Sequence, residues 1–244
     1  MQSGLYVGVS SQIALERRLN TIADNIANMN TVGYRATEVK FDEVLSNTRN
    51  ELNAKVAFVT QGNDYLSRRL GEMEHTNNPL DFAIKGNAWF ALDTPAGQVL
   101  TRDGRFTIQE TGELVSILGY PVLDAGGAPI QLNRNGGPPT VGADGRIMQD
   151  GQPVAILGLF TADISRGFLR ADNSGIIPSD NPQPVVDSFD VGIAQGYLEG
   201  SNVNGISEMT QLIQVNRAFE GIASMMRDTE ASFDEAIKTL GSGR

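Results

Sequence analysis

Apolar residues near the N-terminus recur with the spacing of a helix. Their intervals of four, three, four and three residues place five side chains on one stripe: Leu15, Leu19, Ile22, Ile26 and Met29. In the other direction the same register meets Gly8 and Gln12, so the stripe weakens toward the N-terminus. Asn30 and Gly33 are typical of a turn and a helix C-cap, which predicts that the helix ends here.

A longer stripe occupies the C-terminal end of the chain. Leu212, Phe219, Met226, Phe233 and Leu240 recur every seven residues, and the alternate positions of the predicted seam are Met209, Asn216, Ala223, Glu230 and Ile237. The predicted helix, from Ser207 to Leu240, has 34 residues and would be about 50 Å long at 1.5 Å per residue. Such a helix needs a partner to bury its stripe, and the N-terminal helix is the first candidate.

The two stripes allow two arrangements. They could close a simple helical hairpin inside one monomer, or they could pack as a coiled coil that also includes other copies of the chain. Because the stripes differ in length, the N-terminal one cannot cover all of the C-terminal one, which favours contact with further copies. In that arrangement the polar seam positions Asn216 and Glu230 would set register or partner choice.

Between the helical ends the hydrophobic pattern changes to short strand-like runs. These are FAIK from Phe82, WFAL from Trp89, VLTR from Val99, RFTIQ from Arg105, LVSIL from Leu114, PVL from Pro121 and VAILGLF from Val154. Gly-containing turn signals separate them, among them Asp103-Gly104, Asp144-Gly145 and Asp150-Gly151. Short strands with such turns between them predict an antiparallel β domain.

The pattern as a whole predicts an α+β fold with a discontinuous helical domain. Residues 1–39 and 198–244 would form a terminal coiled-coil domain, and residues 78–197 an inserted antiparallel all-β domain. The segment 40–77 has the weakest pattern and is interpreted as an extended arm between the two domains.

Composition excludes several classes of function. The formal net charge of −10 argues against nucleic-acid binding, which needs clustered Lys and Arg. The absence of Cys excludes disulfides, thiolate catalysis and Cys-based zinc sites. The longest apolar runs, LVSILGYPVL and PVAILGLFTA, are too short to cross a bilayer, so no membrane insertion is expected. The first residues also lack the features of a cleaved secretory signal.

The sequence offers little catalytic chemistry. His75 is the only histidine, no GxSxG elbow accompanies it, and a solvated loop histidine is the simpler interpretation. The Asp-Gly pairs lack the spacing of a calcium loop and are better explained as hairpin turns. Phe82, Trp89, Phe90 and Phe106 could line a sugar groove, although aromatic residues on strands are more often core. We therefore predict no catalytic residue, no cofactor and no metal, with a carbohydrate-acting enzyme or binding module as an alternative.

Three segments carry recognisable motifs. They are LNTIADNIANMNTVGYRA from Leu19, the long segment from Leu80 to Leu123 that begins LDFAIKGNAWFALDTP, and QGYLEGSNVNGISEMTQLIQVNRAFEGIASMM from Gln195. All three resemble the flagellar rod and hook protein family. They follow the family's order along the chain. The short segment between Tyr34 and Leu80 is more similar to the proximal-rod member than to the distal-rod member. A distal-rod or hook-type axial protein is the alternative within the family.

The resemblance implies a structural protein that is not an enzyme and has no cofactor. Family members are exported unfolded by the flagellar type III apparatus, without a cleaved signal peptide, and polymerise helically in the periplasm into the rod of the basal body. The implied partners are copies of the same chain, other rod proteins above and below, and the export apparatus. The terminal helices would form the inner tube and the β domain would lie outside it.

This interpretation makes the helical stripes the predicted subunit interface. It consists of the five N-terminal stripe residues and of Met209, Leu212, Asn216, Phe219, Ala223, Met226, Phe233, Ile237 and Leu240 from the C-terminal seam. Asn25, Asn28 and Asn30 match the family motif and are added as capping residues and inter-subunit hydrogen-bonding groups. Plain helix termination is an equally good interpretation of these three asparagines.

Overall fold

The computed structural model has an α+β architecture of long helices and antiparallel strands. It describes residues 2–40, 43–47, 55–59, 62–172, 174–186 and 190–241. The helices are α1 (Gln2–Ala27) and α2 (Gly205–Gly241), with a short 3-10 helix at Ile164–Arg166. The strands are β1 (Thr37–Lys40), β2 (Glu43–Asn47), β3 (Lys55–Val59), β4 (Asn63–Leu66), β5 (Met73–His75), β6 (Phe82–Lys85), β7 (Phe90–Thr94), β8 (Gly97–Thr101), β9 (Phe106–Ile108), β10 (Leu114–Ser116), β11 (Thr140–Val141), β12 (Arg146–Gln149), β13 (Gln152–Ile156), β14 (Phe160–Thr161), β15 (Phe168–Ala171), β16 (Gly175–Pro178), β17 (Gln183–Pro184), β18 (Gly192–Gln195) and β19 (Tyr197–Glu199).

The chain divides into two compact units. The helical unit takes the described residues within 1–27, 37–64 and 204–244, and the β-rich unit takes those within 28–36 and 65–203. These limits differ from the domain limits predicted from the sequence. Residues 28–36 group with the strands, whereas residues 37–64 group with the helices.

Helix α1 ends two residues earlier than its apolar stripe. Ala27 is its last residue, and the turn that follows is closed by the Thr31 amide donating to the Asn28 carbonyl at 3.1 Å. The Thr31 hydroxyl also donates to the Asn28 side-chain oxygen at 3.0 Å. The inclusion of Met29 in the helical stripe was therefore wrong, because the local asparagine–threonine bonds favour a turn over one more helical residue.

Helix α2 begins at a side-chain cap. The Asn204 side-chain oxygen accepts from the Ser207 amide at 3.0 Å, and the Asn204 carbonyl accepts from the Glu208 amide at the same distance. Asparagine is a preferred N-cap residue because it satisfies an amide that has no partner inside the helix. Glu208 in the first turn adds a negative charge where the helix dipole favours it.

Short antiparallel sheets make up the β-rich unit. The largest has the order β15–β16–β8–β7, and β11–β12–β13 forms a three-stranded sheet. The remaining strands of this unit pair as β5 with β19, β6 with β18, β9 with β10, and β14 with β17. The predicted run FAIK coincides with β6, and the other predicted runs supply β7 to β10, β13 and β14. The PVL run from Pro121 forms isolated bridges instead of a strand.

The core of this unit is apolar and includes the aromatic residues. Phe82, Trp89, Phe90 and Phe106 are all buried, and the Phe106 ring lies 5.2 Å from Phe90 and 5.9 Å from Phe82 between centroids. The prediction that they are core is confirmed, and they do not line a groove. Phe82, Phe90 and Phe106 belong to one core cluster, whose other buried members are Ile84, Ala88, Leu92, Val99, Leu114, Val122, Ile130, Leu132, Ile147, Leu157, Leu159 and Ile193. Trp89 belongs to a second cluster with Leu66, Ala91, Leu100, Leu123, Phe160 and Ile176.

Two turn predictions have different outcomes. Asp150 and Gly151 both have positive φ, 52° and 77°, and join β12 to β13 as a hairpin turn. Asp103-Gly104 instead lies in the loop between β8 and β9, where a Cβ on Gly104 would overlap the Phe82 carbonyl oxygen. The glycine is needed there for a close approach of backbones, which the dipeptide alone does not reveal.

The segment predicted as an extended arm, residues 40–77, contains strands β2 to β5. Strands β2 and β3 pair antiparallel, with Glu43 opposite Val59 and Asn47 opposite Lys55. Residues 41–42, 48–54 and 60–61 of this segment lie outside the described part of the chain. His75, predicted in a loop, ends strand β5, and its exposed ring lies 4.6 Å from the Tyr197 ring.

Candidate assembly helices and a buried charge cluster

Helices α1 and α2 pack against each other within one chain. Gly8 lies next to the Met226 side chain, and the Arg18 guanidinium donates to the Gln211 side chain at 3.4 Å. The residue nearer the start of α1 thus contacts the residue nearer the end of α2, so the two helices run antiparallel. This contact is the one that the helical-hairpin alternative predicts.

The covered stripe of α2 differs from the predicted seam at its alternate positions. Its partly or fully buried apolar members are Leu212, Val215, Phe219, Ile222, Ala223, Met226 and Phe233. The heptad positions Leu212, Phe219 and Met226 are thus covered within the chain, and Phe233 is partly buried where the covered part of α2 ends. The covered residues between them are Val215 and Ile222, which follow Leu212 and Phe219 by three residues.

Asn216 and Glu230 are exposed in the single chain. Their role as polar seam positions between copies of the chain remains a prediction. The Asn216 side chain donates to the Glu220 carboxylate on its own helix at 3.2 Å. The sequence does indicate which alternate positions of α2 are covered, because Val215 and Ile222 follow Leu212 and Phe219 by three residues. These side chains are more apolar than Asn216 and Ala223.

The last turns of α2 extend past α1. Gly8, which contacts Met226, lies six residues from the start of α1, whereas Met226 lies fifteen residues from the end of α2. About nine residues of α2 therefore pass the end of α1, a length of roughly 14 Å. Ile237 and Leu240 in this overhang are 67% and 85% exposed. We call residues 233–241 the α2 overhang.

Helix α1 buries the stripe that the sequence predicted. Ile22 is buried, and Leu15, Leu19 and Ile26 are partly buried. Another side of the same helix exposes apolar residues spaced by three and four, namely Tyr6, Val9 and Ile13. Met209 on α2 is also about half exposed, at 49%. The predicted role of all these stripe residues in subunit contacts remains a prediction.

The three asparagines near the end of α1 have different environments. Asn25 is buried and makes two hydrogen bonds with the backbone of Thr37, donating to its carbonyl at 2.9 Å and accepting from its amide at 3.0 Å. Asn28 closes the turn after the helix, and Asn30 is exposed. Asn25 therefore attaches strand β1 to helix α1 inside the helical unit.

Three ionised side chains lie buried together in the β-rich unit. Glu199 forms ion pairs with Arg35 through Oε1 and with Arg102 through Oε2, each at 3.3 Å. The three residues are between 1% and 3% exposed. We call them the charge cluster. Two guanidinium groups share one carboxylate, so the cluster carries one excess positive charge.

Carbonyl groups and one indole ring complete the surroundings of the two arginines. Arg102 donates to the Gly86 carbonyl at 2.7 Å, and Arg35 donates to the Arg69 carbonyl at 2.9 Å. The Trp89 ring centroid lies 5.7 Å from the guanidinium carbon of Arg35 and 5.8 Å from that of Arg102. Cation–π attraction at such distances stabilises a desolvated guanidinium.

Burial has a clear electrostatic effect on both arginines. It lowers the pKa of Arg102 to about 10, opposed by the Glu199 carboxylate and assisted by the positive charge of Arg35. Burial also lowers the pKa of Arg35, again opposed by Glu199. Both groups remain charged at neutral pH, so Glu199 must compensate for the cost of burying them.

The charge cluster joins segments that are distant in sequence. The first segment, residues 28–36, contains Arg35. The second, residues 65–72, contains Arg69 and Gly71. The third, residues 199–203, starts with Glu199. We call these three the connecting segments, because each ends or begins where the chain passes between the two units. Glu199 binds the other two directly, since its Oε1 accepts from the Gly71 amide at 3.0 Å and its carbonyl accepts from the Gly33 amide at 2.7 Å.

Asn202 adds a second link among the same segments. Its side-chain oxygen accepts from the Ala36 amide and its side-chain nitrogen donates to the Arg69 carbonyl, both at 2.7 Å. Its own amide donates to the Tyr34 carbonyl at 3.3 Å. One side chain therefore bridges all three connecting segments.

Sequence reasoning missed the charge cluster. Arg35 and Glu199 both lie inside motifs that carry the family resemblance, GYRA and GYLEGSNV, but a single charged residue gives no indication of its burial. Arg102 follows the apolar run VLT, which is a weak signal of an inward-facing charge. The sequence does not predict that the three residues pair, because 67 residues separate Arg35 from Arg102 and 97 separate Arg102 from Glu199.

The described residues offer little that resembles a catalytic or metal site. A cavity of about 220 Å³ in the β-rich unit is lined by Leu92, Val99, Ile117 and Leu118 together with polar residues. Four of those polar residues bind one another in pairs: Arg105 donates to Asp103 at 2.6 and 2.9 Å, and the hydroxyls of Thr101 and Ser174 lie 3.3 Å apart. Within the described ranges no group of three or more His, Asp or Glu is placed to hold a metal ion.

Hydropathy of the helices gives one more observation. Neither α1 nor α2, the two long helices of the described residues, has an apolar stretch long enough to span a membrane.

Three family descriptions match the chain in the expected order. Residues 5–35 match "Flagella basal body rod protein", residues 83–149 match "Flagellar hook protein FlgE/F/G D1 domain", and residues 194–239 match "Flagellar basal body rod FlgEFG protein C-terminal". These matches cover α1, much of the β-rich unit and nearly all of α2. With the full-length relatives described next, they show that the chain belongs to the flagellar basal-body rod protein family.

Full-length relatives place the chain among particular members of that family. It is 61% identical to the flagellar basal-body rod protein FlgF of Rhizobium meliloti over 100% of both chains. It is 59% identical to FlgF of Mesorhizobium japonicum over 99% of each chain. Identity to the rod protein FlgG of Bacillus subtilis is 29%, over 97% of this chain and 98% of that protein. FlgF is the proximal-rod member to which the sequence analysis found the greater similarity, and this resemblance is confirmed.

Proposed function

We propose that this chain is a structural subunit of the proximal rod of the bacterial flagellum and polymerises helically through α1 and α2. The observation that supports polymerisation is the α2 overhang. It continues the apolar stripe beyond the part of α2 that α1 covers. Each large apolar side chain removed from water contributes on the order of 1.5–3 kcal/mol. Ile237 and Leu240 therefore favour a contact that one chain does not provide.

Other exposed apolar residues support the same proposal. Tyr6, Val9 and Ile13 form a second stripe on α1, and Ile206, Met209 and Ile213 form one at the start of α2. A soluble monomer rarely presents such stripes without a binding role. Neighbouring copies of the chain, whose helices carry the complementary stripes, are the proposed occupants.

The proposal places the two units in different layers of the rod. The terminal helices would form a coiled-coil inner tube as one discontinuous domain, and the inserted β-rich unit would lie outside it. The partners would be copies of this chain, other rod proteins above and below, and the type III export apparatus. The protein would act in the periplasm and would not act as an enzyme.

The decisive experiment separates assembly from folding. Ile237→Asp and Leu240→Asp change residues that are exposed in the single chain, so the soluble protein should keep its thermal stability. Rod incorporation and swimming should be lost, because each change puts a charge into the proposed contact. Ala231→Asp is the matched control, since it adds the same charge on the opposite side of the same helix.

The outcome for each variant is clear. Normal swimming with both Ile237→Asp and Leu240→Asp would show that the overhang is not a subunit contact. Loss of swimming with Ala231→Asp as well would point to a general effect of charge on α2. The alternative of a carbohydrate-binding protein receives no support, because the aromatic residues that would form its groove are buried.

A further inference from the structure

The charge cluster occupies the point where all three connecting segments meet. Arg35, Gly71 and Glu199 each belong to a different segment, and Arg102 attaches them to the strands through the carbonyls of Ile84 and Gly86. The segments also approach closely. A Cβ on Gly33 would overlap the backbone of Arg102 and Asp103, and one on Gly71 would overlap the Gly200 carbonyl oxygen.

Stability alone does not explain a buried ionic cluster. Replacing buried ion pairs by apolar residues of similar size is often neutral or stabilising, because desolvation offsets most of the attraction. Charged groups add contacts that depend on direction as well as on distance. A guanidinium that binds a carboxylate and two carbonyls is fixed in position, whereas an apolar contact tolerates sliding.

We propose that Glu199 is a positioning residue, which through Arg35 and Arg102 holds the three connecting segments in one fixed arrangement. The chain then enters and leaves the β-rich unit at a rigid point instead of through independent flexible links. In the assembled rod this arrangement would let the β-rich unit take up force through one rigid point of attachment. The part concerning force rests on the proposed rod function, whereas the rigidity is a property of the single chain.

The test uses the full-length chain with Glu199→Gln, which keeps the shape of the side chain and removes its charge. Two guanidinium groups then remain buried without a carboxylate. Amide hydrogen exchange in residues 28–36, 65–72 and 199–203 should become on the order of a hundredfold faster. Exchange in the central strands, residues 82–132, should change far less.

Trp89 provides an independent signal because it is the only tryptophan of the chain. It is buried beside both arginines, so release of the cluster should admit water and shift its fluorescence emission to longer wavelength. Asn202→Ala is a second variant that leaves no buried charge unpaired. It should accelerate exchange in the same three segments, with a smaller shift in the Trp89 emission.

Two controls separate positioning from general stability. Glu110→Gln removes the same charge from an exposed ion pair with Arg134 in the same unit and should change nothing. Ile130→Val weakens the core of the unit and should accelerate exchange across the strands without a preference for the connecting segments. Equal acceleration everywhere in Glu199→Gln, or none in the connecting segments, would overturn the inference.

Swimming tests the functional part. Glu199→Gln cells should export the protein but swim poorly, whereas Glu110→Gln cells should swim normally. Released segments with normal swimming would overturn the role in force transfer and would leave the rod function intact. Failure of the rod function itself would instead appear as normal swimming with both overhang variants, Ile237→Asp and Leu240→Asp.

Discussion

A Cβ atom added to Gly8 of α1 would lie 3.3 Å from both the Cγ and the Sδ of Met226 on α2. This distance is tighter than most contacts of a real Cβ, so the two helices approach closely at this point. The methionine is long and flexible, which allows it to fill the space that the missing side chain leaves. Gly8 also explains why the apolar stripe of α1 weakens toward the N-terminus without loss of packing.

Substitutions at Gly8 should depend on size. Gly8→Ala should keep or slightly raise helix stability, because alanine is favoured over glycine by about 1 kcal/mol in a helix. Gly8→Leu should destabilise the helical pair by about 1–3 kcal/mol through overpacking. Thermal unfolding followed by far-ultraviolet circular dichroism measures both effects.

The control for Gly8 lies on the partner helix. Gly221 has no atom within 4 Å of an added Cβ, so Gly221→Leu should not destabilise the protein. Adding Met226→Ala to Gly8→Leu should restore part of the lost stability by making room. An unchanged melting curve for Gly8→Leu alone would contradict the packing of α1 against Met226.

Asn25 and Asn30 should respond differently to the same substitution. Asn25→Ala removes both hydrogen bonds to the backbone of Thr37, at a cost of about 1–3 kcal/mol. Asn30→Ala changes an exposed side chain and should stay within about 0.5 kcal/mol. Hydrogen exchange of the Thr37 amide, combined with chemical unfolding, measures the difference. Similar losses for both variants would show that Asn25 acts only as a helix terminator.

Substitutions in the charge cluster should differ in how strongly they destabilise it. Glu199→Gln leaves two buried guanidinium groups and should lower the free energy of local opening of the connecting segments by about 3 kcal/mol. Arg102→Met removes the group whose pKa burial lowers to about 10, and it leaves Glu199 paired with Arg35. Its expected cost is roughly 1–3 kcal/mol, mainly from the unpaired carbonyls of Ile84 and Gly86. Amide hydrogen exchange in the connecting segments measures both effects, and a reversed order would show that desolvation does not dominate here.

Hydrogen exchange of the soluble monomer should follow the packing of the helices. Amides of the α2 overhang should exchange fastest within α2, because no part of α1 packs against them. The protected core should extend beyond the predicted limits of 78–197 to residues 28–36 and 65–203, since the connecting segments are bonded into the β-rich unit. Strong protection of residues 233–241 in a species proven monomeric would contradict the overhang as an uncovered stripe.

The sequence by itself determined the elements whose signal is local. The heptad interval of Leu212, Phe219, Met226 and Phe233 predicts a helix because side-chain direction repeats with the helical period. The run FAIK predicts β6 because a short, mostly apolar run that contains Phe and Ile stands between turn signals. The family resemblance came from the same kind of local pattern, and it identified the class of protein correctly.

Only the tertiary structure decided which surfaces meet. Both Val215 and Asn216 are compatible with the heptad, and the position of α1 selects Val215 for burial. Arg35, Arg102 and Glu199 come together because strands far apart in sequence pair in the β-rich unit, and burial then forces the charges to compensate one another. Charge alone predicts solvent exposure for each of them, so their partnership is a property of the fold and not of any local pattern.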